Sequence, residues 1–243
     1  MSSLYPFNDP MMPSPFRVLE FIQNTHDTFT LKLMSEDPKA RFEFLPGQFN
    51  MVYAFGSGEV PISISGDSLQ SEVLVHTIRS VGGVTQSLSR LRKGDRVGIR
   101  GPFGSPWPMK KLETKDLIMI AGGIGLAPLR PALYHALNHR ASYRKIRLLY
   151  GTRSPRDILY FDELKKWSQS GEMDVDITVD TATPEWKGNV GVVTLLMDSF
   201  EADPTETAAL ICGPEIMMKF VVEKLKSRKV EMKNIYVTIK FAI

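Results

Sequence analysis

Residues 117–128 read LIMIAGGIGLAP, an apolar run that ends in three glycines and a proline. This pattern is typical of a buried strand that turns directly into a helix, with Pro128 in the first helical turn. The backbone N–H groups of such a turn and the positive end of the helix dipole attract anions, and glycine lets a phosphate approach them closely. The stretch is therefore a candidate phosphate-binding turn.

The turn departs from the dinucleotide fingerprint G-x-G-x-x-G, because Pro128 stands where that pattern has its third glycine. No acidic residue ends the next strand to bind a ribose 2′-hydroxyl, since that strand runs into Tyr150-Gly151-Thr152-Arg153. A standard dinucleotide-binding fold is therefore disfavoured. Taken alone, the turn fits a tight strand-to-helix connection that binds nothing as well as it fits a phosphate site.

A second glycine turn lies in the first half of the chain, where residues 81–85 read VGGVT. Apolar residues at positions 84, 88 and 91 predict that this turn opens a short helix. The N-terminus of that helix is a second candidate anion site. Two such turns in two different parts of the chain suggest two nucleotides.

The elements that must position these turns differ between the two halves of the chain. Short strand-like stretches separated by turn sequences fill residues 16–108, which predicts a small antiparallel β-barrel or sandwich domain. Strands alternate with helices over residues 109–243, which predicts an α/β domain with a parallel sheet. Four prolines within residues 1–15 predict an extended N-terminal arm. The helices predicted for the α/β domain span residues 128–140, 156–169, 193–200 and 215–228.

Composition excludes several classes of protein. A formal net charge of +3 over 243 residues is too small to indicate a nucleic-acid partner. No apolar run approaches the ~20 residues of a membrane span and no signal peptide is recognisable, so a cytoplasmic protein is expected. The single cysteine, Cys212, excludes an internal disulfide. His135 and His139 share a predicted helix face without a third ligand, so no metal site is predicted.

Seven motifs follow one another in an order that resembles the ferredoxin-NADP reductase superfamily. They are GQF (47–49), PISIS (61–65), VGGVT (81–85), GPFG (101–104), GGIGLAP (122–128), YGTRSPRDILYFDEL (150–164) and CGP (212–214). The resemblance covers nearly all of the chain after residue 15. Within the superfamily, the chain is most similar to flavoprotein subunits of multisubunit redox complexes. These are the gamma subunit of sulfhydrogenase-type nickel-iron hydrogenase, the flavoprotein subunit of anaerobic sulfite reductase and the electron-transfer subunit of dihydroorotate dehydrogenase.

The resemblance implies that FAD binds the barrel domain and a nicotinamide nucleotide binds the α/β domain. Hydride would pass between nicotinamide C4 and flavin N5, with the hydroxyl of Ser63 beside N5 as the catalytic group. The family often has arginine where this chain has Val60. Pyrophosphate binding is therefore expected to rest on Val84, Thr85 and Arg79. The expected FAD-binding residues are Val60, Pro61, Ile62, Ser63, Thr77, Ile78, Arg79, Gly83, Val84 and Thr85.

The resemblance assigns the nicotinamide nucleotide to a second set of residues. They are Gly123, Ile124, Gly125, Thr152, Arg153, Cys212, Gly213 and Pro214. Arg153 and Arg156 favour NADPH over NADH, because a guanidinium binds a 2′-phosphate with two hydrogen bonds. Both arginines are also consistent with solvated loop charges, so NADP and NAD stay open. Cys212 is interpreted as a small buried apolar residue rather than a nucleophile.

The implied function is that of an FAD-dependent NAD(P)H oxidoreductase subunit, which exchanges electrons with an iron–sulfur partner subunit of a hydrogenase or sulfur reductase complex. An NADH-linked subunit of anaerobic sulfite reductase is one alternative. A flavin-free docking subunit is another, because Val60 stands in place of the family's arginine. A dihydroorotate dehydrogenase partner is disfavoured, because the RRPIS form of that family's flavin motif is missing.

The relatives continue past a strand like NIYVTI into a cysteine-rich segment that binds a [2Fe-2S] cluster. This sequence ends at KFAI and has one cysteine, whereas such a cluster usually has four thiolate ligands. No iron–sulfur cluster is therefore expected in this chain. Either electrons leave the flavin directly for a partner's cluster, or the sequence is part of a longer subunit.

Overall fold

The computed structural model describes residues 11–238, which form two sheets of six strands each. The first sheet is antiparallel, with the strand order β4-β3-β6-β1-β2-β5. Its strands are β1 (Ser14–Gln23), β2 (Thr28–Ser35), β3 (Phe49–Ala54), β4 (Gly58–Ser63), β5 (Leu74–Arg79) and β6 (Arg96–Phe103). A bridge between Ile64 and His76 joins the two edge strands. The predicted antiparallel barrel is therefore confirmed.

The barrel closes around an apolar core supplied by alternating residues of its strands. Val52 of β3 and Ile99 of β6 lie opposite each other and are at most 2% exposed. Successive side chains of a strand point to opposite faces, so the intervening positions face outward. Helix α1 (Gly83–Leu88) follows β5, and its Leu88 is buried in the same core. This contact fixes the helix against the barrel.

The predicted N-terminal arm lies mostly outside the described residues, as does the final KFAI. Ser14 and Pro15 belong to β1 and pair with Ile99 and Gly98 of β6. The barrel sheet therefore begins within the range predicted for the arm.

The second sheet is parallel, with the strand order β10-β9-β8-β7-β11-β12. Its strands are β7 (Asp116–Gly122), β8 (Ile146–Thr152), β9 (Asp174–Val179), β10 (Asn189–Val190), β11 (Thr207–Cys212) and β12 (Ile235–Thr238). Its helices are α2 (Leu126–Asn138), α3 (Phe161–Ser170), α4 (Val193–Leu196) and α5 (Glu215–Ser227). The predicted α/β domain is confirmed. None of the helices within residues 11–238 has the length and hydrophobicity to cross a membrane.

Helices cover both faces of the parallel sheet, which explains the continuous apolar runs of its central strands. Leu117 and Met119 of β7 pack with α2 on one face. Ile118 and Ile120 pack with α5 on the other. The strand that leads into the glycine turn is therefore buried on both sides, and the turn is held at the end of a rigid element.

Two predicted helices are shorter in the structure. The helix predicted from residue 156 begins at Phe161, because Tyr160 adopts a left-handed conformation with φ of 55°. Before it, Ile158 and Leu159 are buried in a short non-helical segment that packs into the core. The helix predicted over residues 193–200 is limited to the four residues of α4 and a following 3-10 turn.

Candidate functional site

A cleft of about 260 Å³ lies where the two domains meet. Strands β4 and β5 line the barrel side, and the turn after β7 with the ends of β11 and β12 line the other. The lining residues are Gly47, Phe49, Pro61, Ile62, Ser63, Thr77, Ile78, Arg79, Val81, Thr85, Ile124, Gly125, Ala127, Pro128, Cys212 and Thr238. Two glycine turns that are far apart in the sequence thus meet at one cavity.

The cleft brings together ten of the residues predicted to bind the two nucleotides. They are Pro61, Ile62, Ser63, Thr77, Ile78, Arg79, Thr85, Ile124, Gly125 and Cys212. Five further predicted residues lie within two positions of these in the chain but do not line the cleft, namely Gly83, Val84, Gly123, Gly213 and Pro214. Thr152 and Arg153 stand at the end of the neighbouring strand β8. Val60 is 2% exposed and its side chain packs into the barrel core.

Ser63 ends β4 and presents a free hydroxyl at the cleft. Among residues 11–238 this hydroxyl has no hydrogen-bond partner. The main-chain carbonyl of Ser63 accepts a hydrogen bond of 3.0 Å from Nδ1 of His76. His76 is fully buried, and burial lowers the pKa of its ring to about 4. The imidazole is therefore neutral at physiological pH.

Thr77 also lines the cleft, but protein contacts occupy its hydroxyl. Its Oγ1 lies 2.8 Å from Oγ1 of Thr30 and 3.1 Å from Oγ of Ser65, and it accepts a hydrogen bond of 2.6 Å from Tyr160. Burial raises the pKa of Tyr160, which keeps this phenol protonated and able to donate. Because one donor and two acceptor positions exhaust a hydroxyl, Thr77 can offer a nucleotide only its methyl group and backbone.

A partly buried ion pair lies beside this hydroxyl network. Nε of Arg130 in α2 donates to Oε2 of Glu163 in α3 over 2.7 Å. The same guanidinium donates across the domain boundary to the Ser65 carbonyl at 3.0 Å and stacks 4.1 Å from the ring centroid of Tyr160. Burial alone would lower the pKa of Arg130, but Tyr160 and Glu163 raise it, so the charge is retained. Arg130 thus holds the α/β domain against the barrel next to the cleft.

Arg79 brings a positive charge to the place where the two glycine turns meet. Its Nε lies 3.2 Å from Oδ2 of Asp27, and its side chain is 27% exposed. A terminal nitrogen reaches the turn of the other domain, 4.0 Å from the position that a Cβ on Gly123 would occupy. The remaining N–H groups of an arginine placed here can bind phosphate oxygens.

The glycine turn of the barrel leaves main-chain donors available. The Thr85 hydroxyl accepts from the N–H groups of Val81 and Gly82 and donates to the Gly82 carbonyl, so it closes the turn itself. The N–H groups of Gly83 and Val84 open the helix and have no partner within it. A Cβ on Gly83 would meet no atom within 4 Å. Open space next to free N–H groups is what a pyrophosphate requires.

The glycines near the second turn serve two different purposes. Gly123 has a left-handed φ of +53° and open space apart from Arg79, which suits the close approach of a phosphate. Gly125 and Gly213 instead permit close packing. A Cβ on Gly125 would lie 2.9 Å from the nitrogen of Gly213, and one on Gly213 would lie 2.6 Å from the methyl carbon of Met217. Only part of the glycine pattern therefore concerns a ligand.

Cys212 ends β11, lines the cleft and is 1% exposed. In the sheet register it lies between Ala121 of β7 and Thr238 of β12. Its side chain belongs to the apolar cluster on the α2 face of the sheet. This placement agrees with the interpretation of Cys212 as a small apolar residue.

Asp180 is a candidate residue that the sequence pattern missed. It directly follows β9 and is exposed. Its N–H donates to the Thr152 carbonyl, and the N–H of Thr181 donates to the Arg153 carbonyl, so Asp180 lies beside the end of β8. A carboxylate at such a strand end accepts hydrogen bonds from a ribose 2′-hydroxyl and repels a 2′-phosphate. The dinucleotide pattern places such an acid after the strand that follows the glycine turn, which is β8 here, whereas Asp180 follows β9.

These groups fit the two nucleotides that the sequence implies. The Ser63 hydroxyl, the N–H groups that open α1 and the Arg79 guanidinium are donors on the barrel side. The left-handed Gly123 offers an open turn on the other side. A flavin nucleotide would be held by the barrel wall of the cleft and a nicotinamide nucleotide by the other wall, with Arg79 as a cation near both turns.

Comparisons with known proteins agree with this division. Residues 15–106 match the family model described as "Oxidoreductase FAD-binding domain", and residues 119–223 match "Oxidoreductase NAD-binding domain". The fold and the cleft define a flavin-dependent reductase that uses nicotinamide nucleotides. The chain belongs to this family of FAD- and NAD-binding oxidoreductases and is a flavin-dependent NAD(P)H oxidoreductase.

Individual relatives match across both domains. The chain is 38% identical to sulfhydrogenase 2 subunit gamma of Pyrococcus furiosus, a match that covers 87% of this chain and 77% of that protein. It is 33% identical to a probable dihydroorotate dehydrogenase B (NAD(+)) electron transfer subunit of Methanocella arvoryzae, over 86% of this chain and 71% of that protein. The cytochrome b5 reductase domain of Ulva prolifera nitrate reductase has a TM-score of 0.79 at 25% identity, over 96% and 100% of the two chains. The first two of these relatives are subunits of larger enzymes.

Proposed function

We propose that this chain is the electron-transfer subunit of a multisubunit redox enzyme, in which it exchanges electrons between NAD(P)H, FAD and an iron–sulfur partner subunit. The observation that carries the proposal is the cleft, which both nucleotide-binding domains line with predicted site residues. Direct hydride transfer requires the two reacting rings to be held together in a defined orientation. A cavity with one nucleotide on each wall supports that arrangement.

Bound FAD supplies a hydride acceptor that can release electrons one at a time. The residues of the chain bind and orient the reactants: Ser63 with its free hydroxyl, Arg79 between the two turns, and Arg130 as the link between domains. The described residues that line the cleft include no aspartate, glutamate, histidine or lysine. This composition supports a hydride transfer that needs no protein acid or base.

The partner is proposed to belong to a hydrogenase or sulfur reductase complex. The 38% identity to a sulfhydrogenase gamma subunit supports this choice. Anaerobic sulfite reductase is the second choice, and the match at 33% to a dihydroorotate dehydrogenase electron transfer subunit is weaker. A cytoplasmic location follows from the proposal, because the nicotinamide nucleotides that the chain would oxidise are held in that compartment.

The test of the proposal is the visible spectrum of the purified chain under anaerobic conditions. We expect a flavin spectrum, present as isolated or after addition of FAD, that NADPH or NADH bleaches. The substitution Arg79→Gln should raise the Kd for FAD by about tenfold or more, because it removes the cation beside both turns. Arg96→Gln is the matched control, since Arg96 pairs with Glu36 on the outside of the barrel.

A flavin-free docking subunit is the second candidate. The observation that favours it is the buried Val60, which offers no charge for a pyrophosphate at that position of β4. Protein that stays colourless after incubation with FAD would support this candidate and contradict the first. If flavin is bound but neither NADPH nor NADH bleaches it, the proposed oxidation of NAD(P)H is contradicted.

A further inference from the structure

Two fully buried polar side chains, those of Asn50 and His76, lie behind the barrel side of the cleft. Nε2 of His76 is 3.1 Å from Nδ2 of Asn50, and Nδ1 of His76 is 3.0 Å from the carbonyl oxygen of Ser63. A carbonyl can only accept a hydrogen bond, so Nδ1 carries the proton and Nε2 accepts from the Asn50 amide. The two partners therefore fix both the tautomer and the orientation of the imidazole.

The strand register explains why the Ser63 carbonyl lies within reach of the His76 ring. The N–H of Ile64 donates to the Gln48 carbonyl, so the facing residues Ser63 and Phe49 occupy a non-hydrogen-bonded position of the β3–β4 ladder. The Ser63 carbonyl therefore points away from β3 and toward β5. There the edge strands meet at the bridge between Ile64 and His76. The imidazole thus adds a side-chain donor to this carbonyl at the place where the two edge strands meet.

We propose that His76 is a positioning residue of the flavin site, which holds the Ser63 main chain so that the Ser63 hydroxyl faces the flavin. This inference rests on the proposed function, because it assigns Ser63 to bound FAD. Without the imidazole the Ser63 carbonyl loses its buried side-chain donor, and the end of β4 is held only by main-chain hydrogen bonds such as that from Ile64 N–H to the Gln48 carbonyl. Since the hydroxyl belongs to the same residue, a shift of this main chain moves it relative to the flavin.

The experiment compares three variants of the full chain reconstituted with FAD. His76→Leu removes both hydrogen bonds, whereas His76→Asn keeps an N–H donor close to the position of Nδ1. Leu31→Ala is the matched control, because Leu31 lies opposite His76 on β2, is fully buried in the barrel core and has an apolar side chain that cannot form a hydrogen bond with Ser63. The measurements are the midpoint potential of the bound flavin, the Kd for FAD and the urea concentration at half unfolding.

We expect His76→Leu to shift the midpoint potential and to raise the Kd for FAD by about tenfold or more, and His76→Asn to restore most of both. Leu31→Ala should lower the unfolding midpoint but leave the potential unchanged. If the midpoint potential of His76→Leu equals that of the wild type, or if Leu31→Ala shifts it equally, the role of His76 is overturned but the proposed function is not. A wild-type chain that takes up no FAD overturns the proposed function as well.

Nitrogen NMR of the flavin-free chain tests the geometry independently of activity. We expect the His76 ring to be neutral with its proton on Nδ1, which is the minor tautomer of free histidine, and the carbonyl carbon shift of Ser63 to change in His76→Leu. A proton on Nε2, or an unchanged Ser63 carbonyl, overturns the positioning role even if FAD binds.

Discussion

Gly125 and Cys212 lie so close together that a Cβ on Gly125 would overlap the carbonyl oxygen of Cys212. Gly125 belongs to the turn that follows β7, and Cys212 ends the neighbouring strand β11. Both residues line the cleft. This contact sets the distance between the ends of β7 and β11 at the cleft. Glycine at position 125 is therefore required for packing, whether or not a ligand is bound.

Gly125→Ala is therefore expected to destabilise the protein without any ligand present. The added methyl group meets backbone atoms, which must move apart, at a cost of about 2 kcal/mol. Urea unfolding of the flavin-free chain measures this loss. Because the same shift displaces the wall of the cleft, the KM for the nicotinamide nucleotide should rise as well.

Gly83→Ala is the matched control for this prediction. A Cβ on Gly83 meets no atom within 4 Å, so the stability of the flavin-free chain should be unchanged or rise by up to about 1 kcal/mol, since alanine favours the helix. The Kd for FAD should nevertheless rise, because the methyl group fills the space beside the free N–H groups. Equal stability losses in both variants would contradict the distinction between the two glycines.

The choice between NADPH and NADH should depend on opposite contributions from Arg153 and Asp180. Arg153→Ala removes a cation that can bind a 2′-phosphate, and Asp180→Ala removes a carboxylate that repels it. We expect the ratio of kcat/KM for NADPH to that for NADH to fall about tenfold in the first variant and to rise about tenfold in the second. Steady-state kinetics with an artificial electron acceptor measures both. An unchanged ratio in both variants would place the ribose elsewhere.

Arg130→Met should uncouple the two domains. The substitution leaves the partly buried Glu163 without its cation and removes the bond to the Ser65 carbonyl, which we expect to cost about 3 kcal/mol. Calorimetry should then resolve two unfolding transitions in place of one. Arg147→Met is the control, because Arg147 pairs with the exposed Asp174 within the α/β domain, where the loss should stay below about 1 kcal/mol. A single transition in Arg130→Met would argue against the link.

The free energy of unfolding should fall as the pH drops from about 6.5 to about 4, and His76 should be the main contributor to this loss. Its pKa is 6.5 when unperturbed and about 4 when folded, so in this range the unfolded chain binds a proton that the folded chain excludes. The full loss amounts to about 3 kcal/mol and is complete below the folded pKa. Asp27 has a pKa lowered below 3.8, so its contribution is lost only at more acidic pH.

Urea unfolding of the wild type and of His76→Asn across this pH range measures the contribution of His76. The variant lacks this titrating ring, so its stability should vary less between pH 6.5 and pH 4 than that of the wild type, and what remains includes His135, whose pKa burial also lowers. The same slope in both proteins would assign the loss to other groups.

Short-range patterns were enough to predict the architecture. Short strands separated by turn sequences predicted a barrel or sandwich, and strands that alternate with helices predicted the parallel sheet, because burial on one face or on two leaves a direct mark on neighbouring residues. The same reasoning failed at Tyr160, where helical spacing continued through a residue with left-handed backbone. The packing of Ile158 and Leu159 into the core overrode the local preference for helix.

The sequence by itself determined the two glycine turns and the residues beside them, since these are contiguous in the chain. Only the tertiary structure decided which glycine is open to a ligand, as Gly123 is, and which packs against a neighbouring strand, as Gly125 does. The order of strands in the sheet brought Asp180 beside β8, and the closure of the barrel brought His76 to Ser63. Such contacts join residues far apart in the chain, so no local pattern records them.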